Sequence, residues 1–132
     1  MITINFIVGS RFIVERKMLR ERAAAFLSAH GLDNITVDVH IVGQRQIKKL
    51  NEEIVGHQGV TDVLSFPQYD QGEGDFVRPD DMPRHLGDIA IYYDEAVRMA
   101  KKRGKLVNEQ LWFYLEHGLL HLLGFHHQDG MS

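Results

Sequence analysis

Residues 108–123, NEQLWFYLEHGLLHLL, constrain the fold of this chain more than any other segment. Wound as a helix, they are apolar on nearly all sides. Such a helix cannot lie with one face in water. It has to be enclosed, so it is expected in the middle of the fold. Leu111, Leu115, Leu119 and Leu122 fall on one side and supply packing. His117 and His121 are one turn apart and point the same way on the other. Gly124 is the next residue on the histidine side, and it can take the left-handed conformation that ends a helix and turns the chain.

The elements that would enclose this helix read in order. ITINFIV at 2–8 and ITVDVHIV at 35–42 alternate and are rich in β-branched residues, so both are expected as strands. The second carries Thr36, Asp38 and His40 on one face. Residues 11–29 place Phe12, Ile13, Met18, Leu19, Ala23, Phe26 and Leu27 on a helical stripe, with Gly31 as the C-terminal cap. A short helix is expected at 44–54, a strand at 61–67 and another at 86–93. A helix follows, with Asp94 able to cap it. The acidic segment 68–85 reads as a loop. The order β-α-β-α-β-β-α-α predicts an α+β fold in a single domain, residues 1–132, with a mixed sheet, four to five helices and the histidine helix at its centre.

The chain has 132 residues, 44% of them hydrophobic, and no cysteine. Thiolate metal sites and disulfides are therefore excluded, and a transition metal would have to use His or carboxylates. No stretch approaches membrane-spanning length. No basic region precedes a continuous apolar run at the N-terminus, so a cytoplasmic protein is expected. The net charge of −3 gives no global sign of nucleic-acid binding. Two local basic clusters stand out, one of Arg11, Arg16, Lys17, Arg20 and Arg22, the other of Arg98, Lys101, Lys102, Arg103 and Lys105. Either could be merely a solvated helix face.

Four histidines, His117, His121, His126 and His127, fall within eleven residues. With eight histidines in the chain an i, i+4 pair means little by itself. A glycine at +7 and a further histidine at +10 make the pattern H-x3-H-x2-G-x2-H, the spacing of the metzincin zinc sites. His117, His121 and His127 are thus the expected ligands, three neutral imidazoles that leave one position of a tetrahedral Zn²⁺ open. Ni²⁺ and other divalent ions also suit imidazole. Zinc proteases of the H-E-x-x-H type keep a glutamate beside the first ligand as general base. Gly118 stands there, so peptide hydrolysis by that route is disfavoured. Attack of a metal-activated water on an ester or phosphodiester remains.

HGLLHLLGFHH resembles the H-G-x-L-H-L-x-G-[YF]-D-H signature of the YbeY-type endoribonucleases, the rRNA maturation factors. TDVLSFP and LGDIAIYYDEA resemble the other two hallmark segments of that family, in the same order, so the likeness extends over roughly residues 2 to 127. It implies a zinc-dependent, single-strand-specific endoribonuclease that matures the 3′ end of 16S rRNA and serves ribosome quality control. It also implies ribosomal RNA and small-subunit proteins as partners, with neither DNA nor membrane. Phosphate contacts would come from the basic clusters, with Arg98, Lys101 and Lys102 as candidates.

Two positions depart from the family pattern. His126 replaces the aspartate before the third ligand, and as a proton-transfer group it is the candidate catalytic residue. Val55 stands where the family has an arginine facing the RNA, and nearby His57 is its candidate substitute. Two other readings use the same ligands. One is a ribosome-associated RNA-binding factor that keeps the metal site and cuts little. The other is a metal-dependent hydrolase of another substrate.

Overall fold

A computed structural model describes residues 1–68 and 82–124. His126, His127 and most of the acidic segment lie outside the described residues.

The alternation read at 2–8 and 35–42 becomes two parallel neighbours, β1 (Ile2–Val8) and β2 (Ile35–Val42). Val37, Val39 and Ile41 point to one side of β2 and are buried, while Thr36, Asp38 and His40 point to the other and are half-buried. α1 (Arg16–Ala29) follows β1, and α2 (Gln44–Leu50) follows β2. α2 runs on into a π-helical turn, Asn51–Val55. β3 (Val63–Pro67) and β4 (Arg84–Tyr92) come next, then α3 (Tyr93–Arg103) and α4 (Val107–Leu122). The sheet order is β1-β2-β4-β3, with β2 and β4 parallel and β3 antiparallel to β4. The fold is therefore α+β with a mixed four-stranded sheet and, among the described residues, four α-helices.

α4 packs against α1, α3, β3 and β4. Leu111, Leu115, Leu119 and Leu122 are all buried, as their stripe demanded. They share one core with Leu19, Ala23 and Leu27 of α1 and with Val37, Val39, Ile89 and Ile91 of the sheet. α2 covers part of the opposite sheet face, where Ile47 packs with Val42 and Ala90.

Boundaries moved where tertiary contacts outweigh local pattern. α1 begins at Arg16, not at residue 11, because Phe12 leaves the helical stripe to stack on Tyr93 with ring centroids 4.5 Å apart. β3 begins at Val63, whose N–H is taken by the Asp62 side chain at 2.7 Å. β4 reaches back to Arg84, inside the expected loop. Asp94 does not cap α3; it lies with Glu95 in the first turn, where negative charge still favours the helix. Gly31 and Gly124 do adopt positive φ, 82° and 92°, each just beyond its helix.

Candidate functional site

His117 and His121 ride on the face of α4 away from the buried stripe of Leu111, Leu115, Leu119 and Leu122. Both are half-buried, and their ring centroids are 4.4 Å apart. The rings are tilted by 54° to one another, and two imidazoles brought to one helix face are the donor type that zinc takes. Gly118, between them in sequence, has a packing reason to be glycine. A Cβ there would stand 2.9 Å from Cγ2 of Ile89 on β4. The position that holds the general base in a protease helix is here the point where helix and sheet touch.

A second group of metal-capable side chains lies on the other side of the sheet. Ile89 faces α4, so its strand neighbour Asp88 faces away, into the face that Asp38 and His40 share. One ligand atom each from Asp38, His40 and Asp88 lies within 4.8 Å of the others. These three residues are a group able to hold a metal ion. Asp38 and Asp88 are direct partners across β2 and β4, an arrangement of like charges that destabilises a sheet unless something offsets it. Neighbouring donors do so. His40 Nε2 is 2.9 Å from one Asp88 oxygen and His85 Nε2 is 2.7 Å from the other. Asn5 Nδ2 donates to Asp38 at 2.9 Å, and the Thr36 hydroxyl meets His85 Nδ1 at 2.8 Å. Burial pushes the Asp88 carboxyl up, but hydrogen bonds from His85 and His40 outweigh it and hold the group below the usual range.

His85 and Asp88 are three apart, so a regular strand would send them to opposite faces. The register of β2 against β4 slips between Thr36 and Val37, where His85 pairs with Thr36 and Gly87 with Val37. Leu86 is the extra residue of a β-bulge, and the bulge brings His85 round to the face of Asp88. The group opens into a cleft of about 360 Å³ lined by His40, Gln46, Leu50, Ile54, Phe66, Asp88 and Ala90. The Thr36–Asp38–His40 alternation was the sequence signal for this face; the bulge had none.

The candidate RNA contacts fare unequally. Arg98 is clamped by Glu95 through two bonds of 3.0 and 2.6 Å, which leaves less of its charge for a phosphate. Lys101 and Lys102 are exposed in the last turn of α3. In the other basic cluster, Arg22 bonds Glu109 of α4 at 3.0 and 3.1 Å, and Arg20 binds the Ile4 carbonyl while covering the ring of Phe6. That cluster ties α1 to the fold. His57 and Val55 are both exposed, at the end of the π-helical turn. Asn51 organises the turn: its carbonyl accepts the N–H groups of Gly56 and His57, and its side-chain amide reaches the Gly59 carbonyl at 3.1 Å.

Fold and site together define an α+β protein whose central helix carries paired imidazoles above a mixed sheet. The family model described as Endoribonuclease YbeY matches residues 11–132. The chain belongs to the YbeY endoribonuclease family. It is 42% identical over 113 residues to "Endoribonuclease YbeY" of an Anaeromyxobacter species, covering 85% of this chain and 54% of that protein. It is 42% identical over 110 residues to the protein of that name from Thermus thermophilus, covering 83% and 75%. The chain thus spans about half the length of the Anaeromyxobacter relative. The solution structure of TM1509 from Thermotoga maritima matches with a TM-score of 0.62 at 25% identity, over 100% of this chain and 79% of that one. Among the described residues no helix is long and apolar enough to cross a membrane.

Proposed function

We propose that residues 1–132 form one domain, a cytoplasmic zinc-dependent endoribonuclease that cuts single-stranded ribosomal RNA during maturation of the 16S 3′ end. Family membership supports the activity. The observation that carries the metal site is the pair of imidazoles on one face of α4, 4.4 Å apart. His117, His121 and His127 would hold the ion, which when bound supplies Lewis acidity and an activated water. The chain's own residues do the rest. Gly118 offers no carboxylate, so proton handling falls to His126, beside the third ligand. Lys101 and Lys102 attract phosphates, and His57 lies beside the position of the family's arginine. His127 holds the +10 ligand position of the H-x3-H-x2-G-x2-H pattern and His126 does not, so His126→Ala should keep zinc and His127→Ala should lose it. Metal analysis giving the reverse would exchange the two roles.

A second reading is favoured by Val55, an apolar side chain 38% exposed where the family has its RNA-facing arginine. Without a guanidinium able to grip a phosphate through two bonds, the chain would bind ribosomal RNA, and small-subunit proteins with it, more than it cuts. Wild type, His117→Ala and Val55→Arg, assayed on one single-stranded RNA with zinc and with chelator, separate the readings. The nuclease reading expects metal-dependent cleavage by wild type, none by His117→Ala and more by Val55→Arg. Equal cutting by wild type and His117→Ala would transfer the case to the binding factor. Affinity should fall with salt, with a log–log slope of about −0.7 per phosphate engaged.

A further inference from the structure

Phe113 does not behave like the rest of α4. It lies one turn before His117 on the stripe that continues to His121. Its side chain is 45% exposed, although Leu111, Tyr114 and Leu115 around it are buried. A single exposed ring is ordinary. Two cations gathered over one ring are less so. The Arg103 guanidinium carbon stands 5.7 Å from the ring centroid and Lys105 Nζ 6.0 Å. The end of α3 brings them there. Gly104 takes φ 66°, and the Lys105 N–H returns to the Ala100 carbonyl at 2.9 Å. That closing turn places the residues on either side of Gly104 against α4. Lys101 and Lys102, also in the last turn of α3, add positive charge. Two nearby acids are already engaged, Glu95 by Arg98 and Glu109 by Arg22.

We propose that Phe113 is a stacking platform for one base of a single-stranded RNA, with Arg103 and Lys105 receiving the flanking phosphates. The proposal rests on the ribonuclease reading and adds where the strand is held. An aromatic face among cations is what single-strand recognition requires. Every base has a π-face to stack, whatever the sequence, and the backbone follows the charge. A duplex hides those faces, so the platform also selects unpaired RNA. One helical turn, about 5.4 Å, separates Phe113 from His117. At the stacked spacing of about 3.4 Å per nucleotide, a base on Phe113 leaves a phosphodiester one or two nucleotides away beside the histidines. The competing role for the two cations is only to shield an exposed ring from water. That role makes Phe113 matter for stability and not for base-dependent affinity.

Fluorescence anisotropy with a short labelled single-stranded RNA, and with an abasic ribose-phosphate strand of equal length, tells the two roles apart. Phe113→Leu keeps an apolar side chain and removes the π-face. It should weaken RNA binding roughly 5- to 150-fold, the range for losing one stacked base, and leave binding of the abasic strand as in wild type. Phe113→Trp should restore RNA affinity. Equal weakening on both strands, or none on RNA, overturns the stacking site. Zinc-dependent cleavage by wild type in the same preparations would then keep the nuclease reading standing. If wild type binds neither strand, the platform and the ribonuclease reading fall together.

Discussion

Gly118→Glu is expected to leave the chain largely unfolded under conditions where wild type is native. The substitution recreates the glutamate of a protease helix, which makes it tempting, and packing forbids it. A Cβ at this position meets Ile89 Cγ2 at 2.9 Å, with two further atoms of Ile89 at 3.1 Å. Overpacking of that kind costs about 1–3 kcal/mol. Gly118→Ala isolates this cost, offset by a gain of about 1 kcal/mol in helix propensity, so alanine should be mildly destabilising. Glutamate adds a carboxylate confined between α4 and β4, away from water, at several kcal/mol more. Against a total stability of about 5–15 kcal/mol, the sum is severe. Urea titration of wild type, Gly118→Ala and Gly118→Glu measures it. Ile89→Val should recover part of the loss in Gly118→Ala, because the two residues share the contact. A Gly118→Glu protein with an unchanged midpoint would show that α4 can step away from the sheet, and the packing account of this glycine would fail.

The same contact shows what was legible in the sequence. The Leu111–Leu115–Leu119 stripe announced an enclosed helix, and period-two alternation announced β1 and β2, because each signal is carried by residues close together in the chain. Gly31 and Gly124 were legible for the same reason. The start of α1 was not, since Phe12 is withdrawn from its stripe by Tyr93, far along the chain. Nor was the structural role of the first basic cluster, because Arg22 finds Glu109 only after folding, whereas the Glu95–Arg98 pair was within local reach. The sheet-face group draws on Asn5 of β1, on Asp38 and His40 of β2, and on His85 and Asp88 of β4. The β-bulge that gathers it depends on register, which no single strand encodes.

On the proposed zinc-nuclease reading, replacing His121 by alanine should empty the chain of zinc and lower RNA cleavage on the order of a thousandfold, the scale of several kcal/mol of lost transition-state stabilisation. The experiment gains its force from the second metal-capable group. Asp38, His40 and Asp88 offer two oxygens and one nitrogen, a harder donor set than three imidazoles and closer to what Mn²⁺ or Mg²⁺ prefers. They also lie on the opposite face of the sheet from α4. Zinc analysis of His121→Ala and Asp88→Ala therefore reports on two separate places. The histidine assignment expects zinc to leave with His121→Ala and to stay in Asp88→Ala. Should zinc persist in His121→Ala and leave with Asp88→Ala, the ion belongs to the sheet face. The α4 imidazoles would then be packing groups, and the cleft beside His40 and Asp88 would become the place to look for the reacting phosphodiester. Cleavage that survives both variants and resists chelator would remove metal chemistry from the reaction altogether.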